Sequence, residues 1–147
     1  NDAPSTITRL QNMGTPDYLI SAATQMVLAQ RLARRNCKEC RVPDEDVTPK
    51  VLTDLGFSPE QASRTKAIKG KGCAKCKDSG YKGRQGIYEI LVVSKPIKEA
   101  ILRQATTPEL REIAIKEGFQ TMQDMGRRMI ANGELSFREY ERVLSAS

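Results

Sequence analysis

Four cysteines carry the clearest chemistry in this sequence. Cys37 and Cys40 form one C-x-x-C pair, and Cys73 and Cys76 form a second after thirty-two intervening residues. Each two-residue spacer lets a pair grip one ion in a tight turn. Two such turns complete the tetrahedral thiolate shell that zinc prefers. The chain has no histidine, so cysteine must supply any soft-metal shell. Lys38, Arg41, Lys75 and Lys77 lie beside the ligands and offset the mutual repulsion of thiolates. Gly72 is placed to free the backbone for the second turn. A redox pair and disulfides are the competing readings. A redox C-x-x-C stands alone near a β-α unit rather than as two matched pairs. Disulfides belong to oxidising compartments, and the sequence shows no secretory signal. The spacing therefore favours one structural Zn2+ per chain. Four thiolates leave no open position for a water, which argues against catalysis by the metal. Its task is to fold the apolar-poor segment between the pairs, and structural zinc supplies roughly 10–16 kcal/mol to small modules.

The elements that must hold these cysteines can be read from periodicity. Val27 to Arg34 alternates and predicts a strand; the β-branched run Gly86 to Val93 predicts another. The two strands bracket the cysteine segment, so the metal module reads as an insertion between strands of a larger sheet. Ile7, Leu10 and Met13 recur at helical spacing between Pro4 and Gly14. Thr15-Pro16, Thr48-Pro49, Ser58-Pro59 and Thr107-Pro108 each read as an N-cap followed by proline at the first helical position. Ser58 with Gln61, and Ser136 with Glu139, fit capping boxes. Ser94 is a further cap, and Met122, Met125 and Met129 recur at helical spacing that favours a core face. The helices after Val93 read as a small bundle.

Composition bounds the rest. The 147 residues suffice for one medium or two small domains, and aromatic content of 5% implies an aliphatic core. No apolar run approaches the ~20 residues of a membrane helix. The opening at Asn1 rather than at methionine suggests a piece of something longer. A net charge of +6 invites a nucleic-acid reading. Four thiolates (−4) and one divalent ion (+2) lower +6 to +4, and aromatic residues for base stacking are few. A basic zinc module binding nucleic acid is thus the alternative, and no direct nucleic-acid contact is expected. No phosphate-cradling G-x-x-x-x-G-K-[ST] loop is present, and no nucleophile has a histidine base.

Three stretches in order, "NDAPSTITRLQNMG", "AQRLARRNC" and "GCAKCKDSGYKGRQGIYEIL", resemble the C-terminal portion of the secretion ATPases that power type IV pilus assembly and type II secretion. The likeness is to the PilB-like or GspE-like extension motors and covers Asn1 to about Leu144. It implies an α/β fragment: the C-terminal part of a RecA-like ATPase core with an inserted four-cysteine zinc module and a C-terminal helical bundle. The implied boundaries are 1–36 for the end of the core, 37–85 for the zinc module, and 86–147 for the returning strand and bundle. Cys37, Cys40, Cys73 and Cys76 match the family's tetracysteine site, which retraction motors lack. The nucleotide loop, acidic boxes and histidine box lie upstream of Asn1 in that family. No catalytic or cofactor-binding residue is therefore expected here, and the chain alone should not hydrolyse ATP. The resemblance further implies, for the parent protein, ATP with Mg2+, a homo-hexamer, and an inner-membrane platform protein as partner. It implies a cytoplasmic location, peripheral at the bacterial inner membrane. Arg31, Arg34 and Arg35, beside the first pair, are candidates to face a nucleotide or an acidic partner; an exposed strand face is the plainer reading.

Overall fold

The computed structural model describes residues 2–145. Among them lie eight helices and four strands in the order α1 (Ala3–Asn12), α2 (Asp17–Ala23), β1 (Met26–Asn36), β2 (Arg41–Pro43), α3 (Pro49–Asp54), α4 (Pro59–Arg64), β3 (Ile68–Gly70), β4 (Tyr81–Val92), α5 (Lys95–Leu102), α6 (Thr107–Lys116), α7 (Met122–Ala131) and α8 (Phe137–Leu144). The strands form two two-stranded sheets, β1 with β4 and β2 with β3. The small α/β character expected from the sequence is present. Both long strands outrun their apolar stretches, β1 through Asn36 and β4 back to Tyr81.

The chain divides into two compact units, Asn1–Gln30 with Tyr88–Thr121, and Arg31–Ile87 with Met122–Ser147. In the first, Ile7 of α1, Ile20 of α2, Leu91 and Val93 around the end of β4, and Ile97, Ala100, Ile101, Leu110 and Ala114 of α5 and α6 form the core. The buried Glu89 of β4 accepts from the Ala3 N–H at 2.8 Å, one of the helix-start donors that need an outside partner. The other face of the strand pair is different. Met26, Leu28, Tyr88, Ile90 and Val92 alternate with the inward residues and stand 42–63% exposed.

In the second unit β2 and β3 pair antiparallel, with Arg41 opposite Gly70 and Pro43 opposite Ile68. Leu52, Phe57, Ala62, Met122, Met129, Ile130, Leu135, Tyr140 and Leu144 are buried there. Met122 and Met129 thus serve the core. The helices after β4, expected as one bundle, divide instead: α5 and α6 join the first unit, α7 and α8 the second. The apolar faces of α5 and α6 are used up on α1, α2 and β4.

Three caps differ from their sequence reading. Thr15 does not cap α2. Pro16 stands at that position without a side-chain bond, and the Thr15 N–H closes on the Leu10 carbonyl at 3.2 Å. The cap of α6 is Thr106, one residue early, while the Thr107 hydroxyl pairs with that of Thr8 at 2.6 Å. Ser136 caps α8 by accepting from the Glu139 N–H, but the Glu139 carboxylate does not return to the cap. Thr48, Ser58 and Ser94 cap their helices as read, Ser58 and Gln61 in a reciprocal box. No helix among the described residues is long and apolar enough to cross a membrane.

Candidate metal centre

Cys37 follows directly on β1, and Cys40 immediately precedes β2. Cys73 and Cys76 lie in the turns between β3 and β4. Pairing of β2 with β3 therefore lays the second pair against the first, and the Lys71 N–H donates to the Cys40 carbonyl at 2.9 Å. The four sulfurs lie within 4.8 Å of one another. Cys37 to Cys73 and Cys40 to Cys76 are each 3.8 Å, and Cys73 to Cys76 is 3.7 Å. A tetrahedron with zinc–sulfur bonds of about 2.3 Å has sulfur–sulfur edges of about 3.8 Å. The cluster therefore has the size of a zinc–thiolate shell.

Backbone donors already point at the sulfurs. The Gly72 N–H donates to Cys40 Sγ at 3.3 Å; the Cys73 and Gly80 N–H groups donate to Cys76 Sγ at 3.2 Å each. Such donors stabilise thiolate charge and fix ligand orientation. The thiols do not titrate alike. Burial pushes Cys76 up, but the N–H groups of Cys73 and Gly80 and the thiols of Cys73 and Cys40 prevail and bring it down to about 6. At Cys40 the Gly72 N–H favours the thiolate, yet burial and the thiols of Cys73, Cys37 and Cys76 push it up to about 11.

Two close approaches hold the turns. Gly72 sits at φ +107°, as its place in the sequence implied, and a Cβ there would lie 3.1 Å from the Asp78 carbonyl oxygen. Gly70 and Gly80 meet backbone to backbone. A Cβ on Gly70 would run into the Gly80 carbonyl oxygen, and one on Gly80, itself at φ +82°, would lie 2.5 Å from that of Gly70. The Gly80 carbonyl also accepts from the Cys37 N–H at 2.9 Å.

The three arginine candidates all bond within the chain. Arg31 donates to the Val143 carbonyl at 2.6 Å, filling an acceptor in the last turn of α8. Arg35 donates to Gln85 Oε1 at 2.6 Å. Arg34 stacks over the Tyr81 ring at 4.2 Å and pairs with Glu139. It also lines two adjoining cavities of about 450 and 270 Å³ with Arg84; Arg142 lines the larger and Tyr81 the smaller.

Sequence reading missed the role of Glu139, which it assigned to a capping box. Its side chain is fully buried. It accepts from the Arg34 backbone N–H at 2.6 Å, from Arg34 Nε and Nη2 at 3.2 and 2.9 Å, and from Arg142 at 2.7 and 2.6 Å. Burial pushes its carboxyl up, but the bonds from Arg142 and Arg34 outweigh this and hold it down to about 2. A carboxylate whose folded pKa lies below its ordinary 4.5 adds stability above that value and loses it as pH falls toward 2. Acid titration should cost the second unit about 3 kcal/mol over that window. Urea midpoints followed at the Tyr81 ring check this, and Glu139→Gln should flatten the acid limb. An unchanged limb in that variant contradicts the assignment. Asn36 was missed as well. Buried before Cys37, it donates to the carbonyls of Ile68 and Gly133 at 3.0 Å each. Apart from Arg142, three positions from Glu139, the partners are 32 to 105 positions away and leave no local sequence signal.

The family model described as "Type II/IV secretion system protein" matches residues 1–142. The type IV pilus assembly ATPase PilB of Myxococcus xanthus is 37% identical over 95% of this chain, and 25% of that relative is covered. PilB of Thermus thermophilus is 43% identical over 86% of the chain and 14% of its own length. The type II secretion system protein HxcR of Pseudomonas aeruginosa is 35% identical over 97% of the chain and 26% of its own length. The chain thus spans about a quarter or less of these relatives. With a match across 142 residues and relatives from both pilus and secretion machines, the chain belongs to the type II/IV secretion system ATPase family.

Proposed function

We propose that this chain is the C-terminal, zinc-containing part of a hexameric ATPase that powers type IV pilus extension or type II secretion. The observation that carries the reading is the four-sulfur cluster, of zinc–thiolate dimensions, in a chain of this family. Cys37, Cys40, Cys73 and Cys76 hold one structural Zn2+. ATP and Mg2+ act in the parent protein through residues outside this chain, which alone does not hydrolyse ATP. The exposed apolar row Met26, Leu28, Tyr88, Ile90 and Val92 supports the RecA-like reading. A sheet face of this kind needs a covering layer, and the rest of the parent core supplies it. The metal module contacts neighbouring subunits or the inner-membrane platform protein at the cytoplasmic face. The test is ATP turnover and zinc content, measured on this chain and on its full-length parent. We expect one zinc per chain in both and turnover only in the parent. Turnover by this chain alone, or a parent without turnover, overturns the reading.

A further inference from the structure

We propose that α8 is a clasp on the metal module, with Glu139 as its positioning residue, so that docking of α8 and closure of the cysteine turns form one coupled equilibrium. The inference rests on the zinc reading for one of its readouts and on the fold alone for the other. The strand entering the module and the strand leaving it are both tied to the α7–α8 region. On the entering side, Glu139 takes the Arg34 backbone N–H, three residues before Cys37. The turn before α8 takes Asn36: its N–H donates to the Glu134 carbonyl at 2.8 Å and its side-chain amide to that of Gly133. On the leaving side, the Ser136 hydroxyl pairs with the Tyr81 hydroxyl at 3.0 Å. Tyr81 follows Gly80, which donates to Cys76 Sγ and accepts from Cys37. The Arg34 guanidinium over the Tyr81 ring joins the two sides.

A buried carboxylate with this many donors has no stable half-released position. Drawing α8 away breaks the three bonds from Arg34 together: Arg142, on α8 itself, leaves with the carboxylate, and the Arg34 backbone N–H loses its acceptor. The clasp is therefore either closed or open, and coupling between two such elements is reciprocal. Anything that captures α8 loosens the cysteine turns, and a metal ion in the turns strengthens α8.

The test uses the full 147-residue chain loaded with zinc. Release to a chromophoric chelator is timed for wild type, Glu139→Gln, the exposed neighbour variant Glu141→Gln, and Ile97→Val in the core of the first unit. Amide exchange at Cys37, Gly80 and α8 is followed in parallel, with and without zinc. Glu139→Gln should release zinc roughly tenfold faster and speed exchange at Cys37 and Gly80 to a similar degree. The other two variants should match wild type. In wild type, zinc removal should raise exchange along α8, a readout that needs no variant to fold. Equal release from all variants, α8 amides indifferent to zinc, or the same acceleration in Ile97→Val overturns the proposal. If the chain takes up no zinc, the metal reading fails, and exchange at Cys37 and Gly80 in Glu139→Gln alone decides the clasp.

Discussion

Stripping zinc from the reduced chain with a strong chelator is expected to unfold the segment from Cys37 to Gly80 while α1, α2, α5 and α6 stay helical. The segment between the cysteine pairs holds few buried side chains, chiefly Leu52, Phe57, Ala62 and Ala67. Its two sheet strands are three residues each, too few to persist alone. Structural zinc contributes roughly 10–16 kcal/mol in small modules, comparable with the roughly 5–15 kcal/mol that holds a whole domain. The first unit has its own core around Ile97, Ile101 and Leu110 and does not depend on the metal. Circular dichroism and amide spectra before and after chelation read both parts at once, and Cys76→Ser should reproduce the chelated state. Four freely alkylated thiols with an unchanged spectrum would remove the metal and leave the cysteines needing a redox role.

The second large effect comes from adding one methyl group. Gly70→Ala places a Cβ against the Gly80 backbone, where no side-chain rotation relieves the clash. The same carbonyl accepts from Cys37, so the chain must part where the two cysteine turns meet. We expect a loss of about 3 kcal/mol or more and substoichiometric zinc. Gly70 is not at a positive φ, so its variant carries the clash alone, whereas Gly118→Ala, at φ +96° with nothing within 4 Å of a Cβ, carries the strain alone. Melting temperature and metal content of the two variants separate clash from strain. A Gly70→Ala protein that melts and binds zinc like wild type contradicts the close approach.

Much of the site was legible because it is written in local spacing. The two C-x-x-C pairs, the apolar alternation of β1 and β4, and the Ser or Thr before proline at α3 and α4 each need only a few adjacent residues to be read. Contacts between distant residues were not legible. Thr106 caps α6 because Thr107 is engaged by Thr8, 99 positions away. Glu139 looks like half of a capping box until Arg34 arrives from β1. The division of α5 and α6 from α7 and α8 depends on which core each apolar face meets, and periodicity states only that a face exists.

The bond from the Cys37 N–H to the Gly80 carbonyl means that the cysteine segment starts and ends at nearly the same place. A segment whose ends already touch behaves as a graft. Loop-closure cost rises by only about 0.6 kcal/mol for each doubling of length. Evolution can therefore lengthen, shorten or discard everything between these two residues while β1 and β4 keep their pairing. Such a junction would let the cysteine segment change in length without rebuilding the strands that carry it.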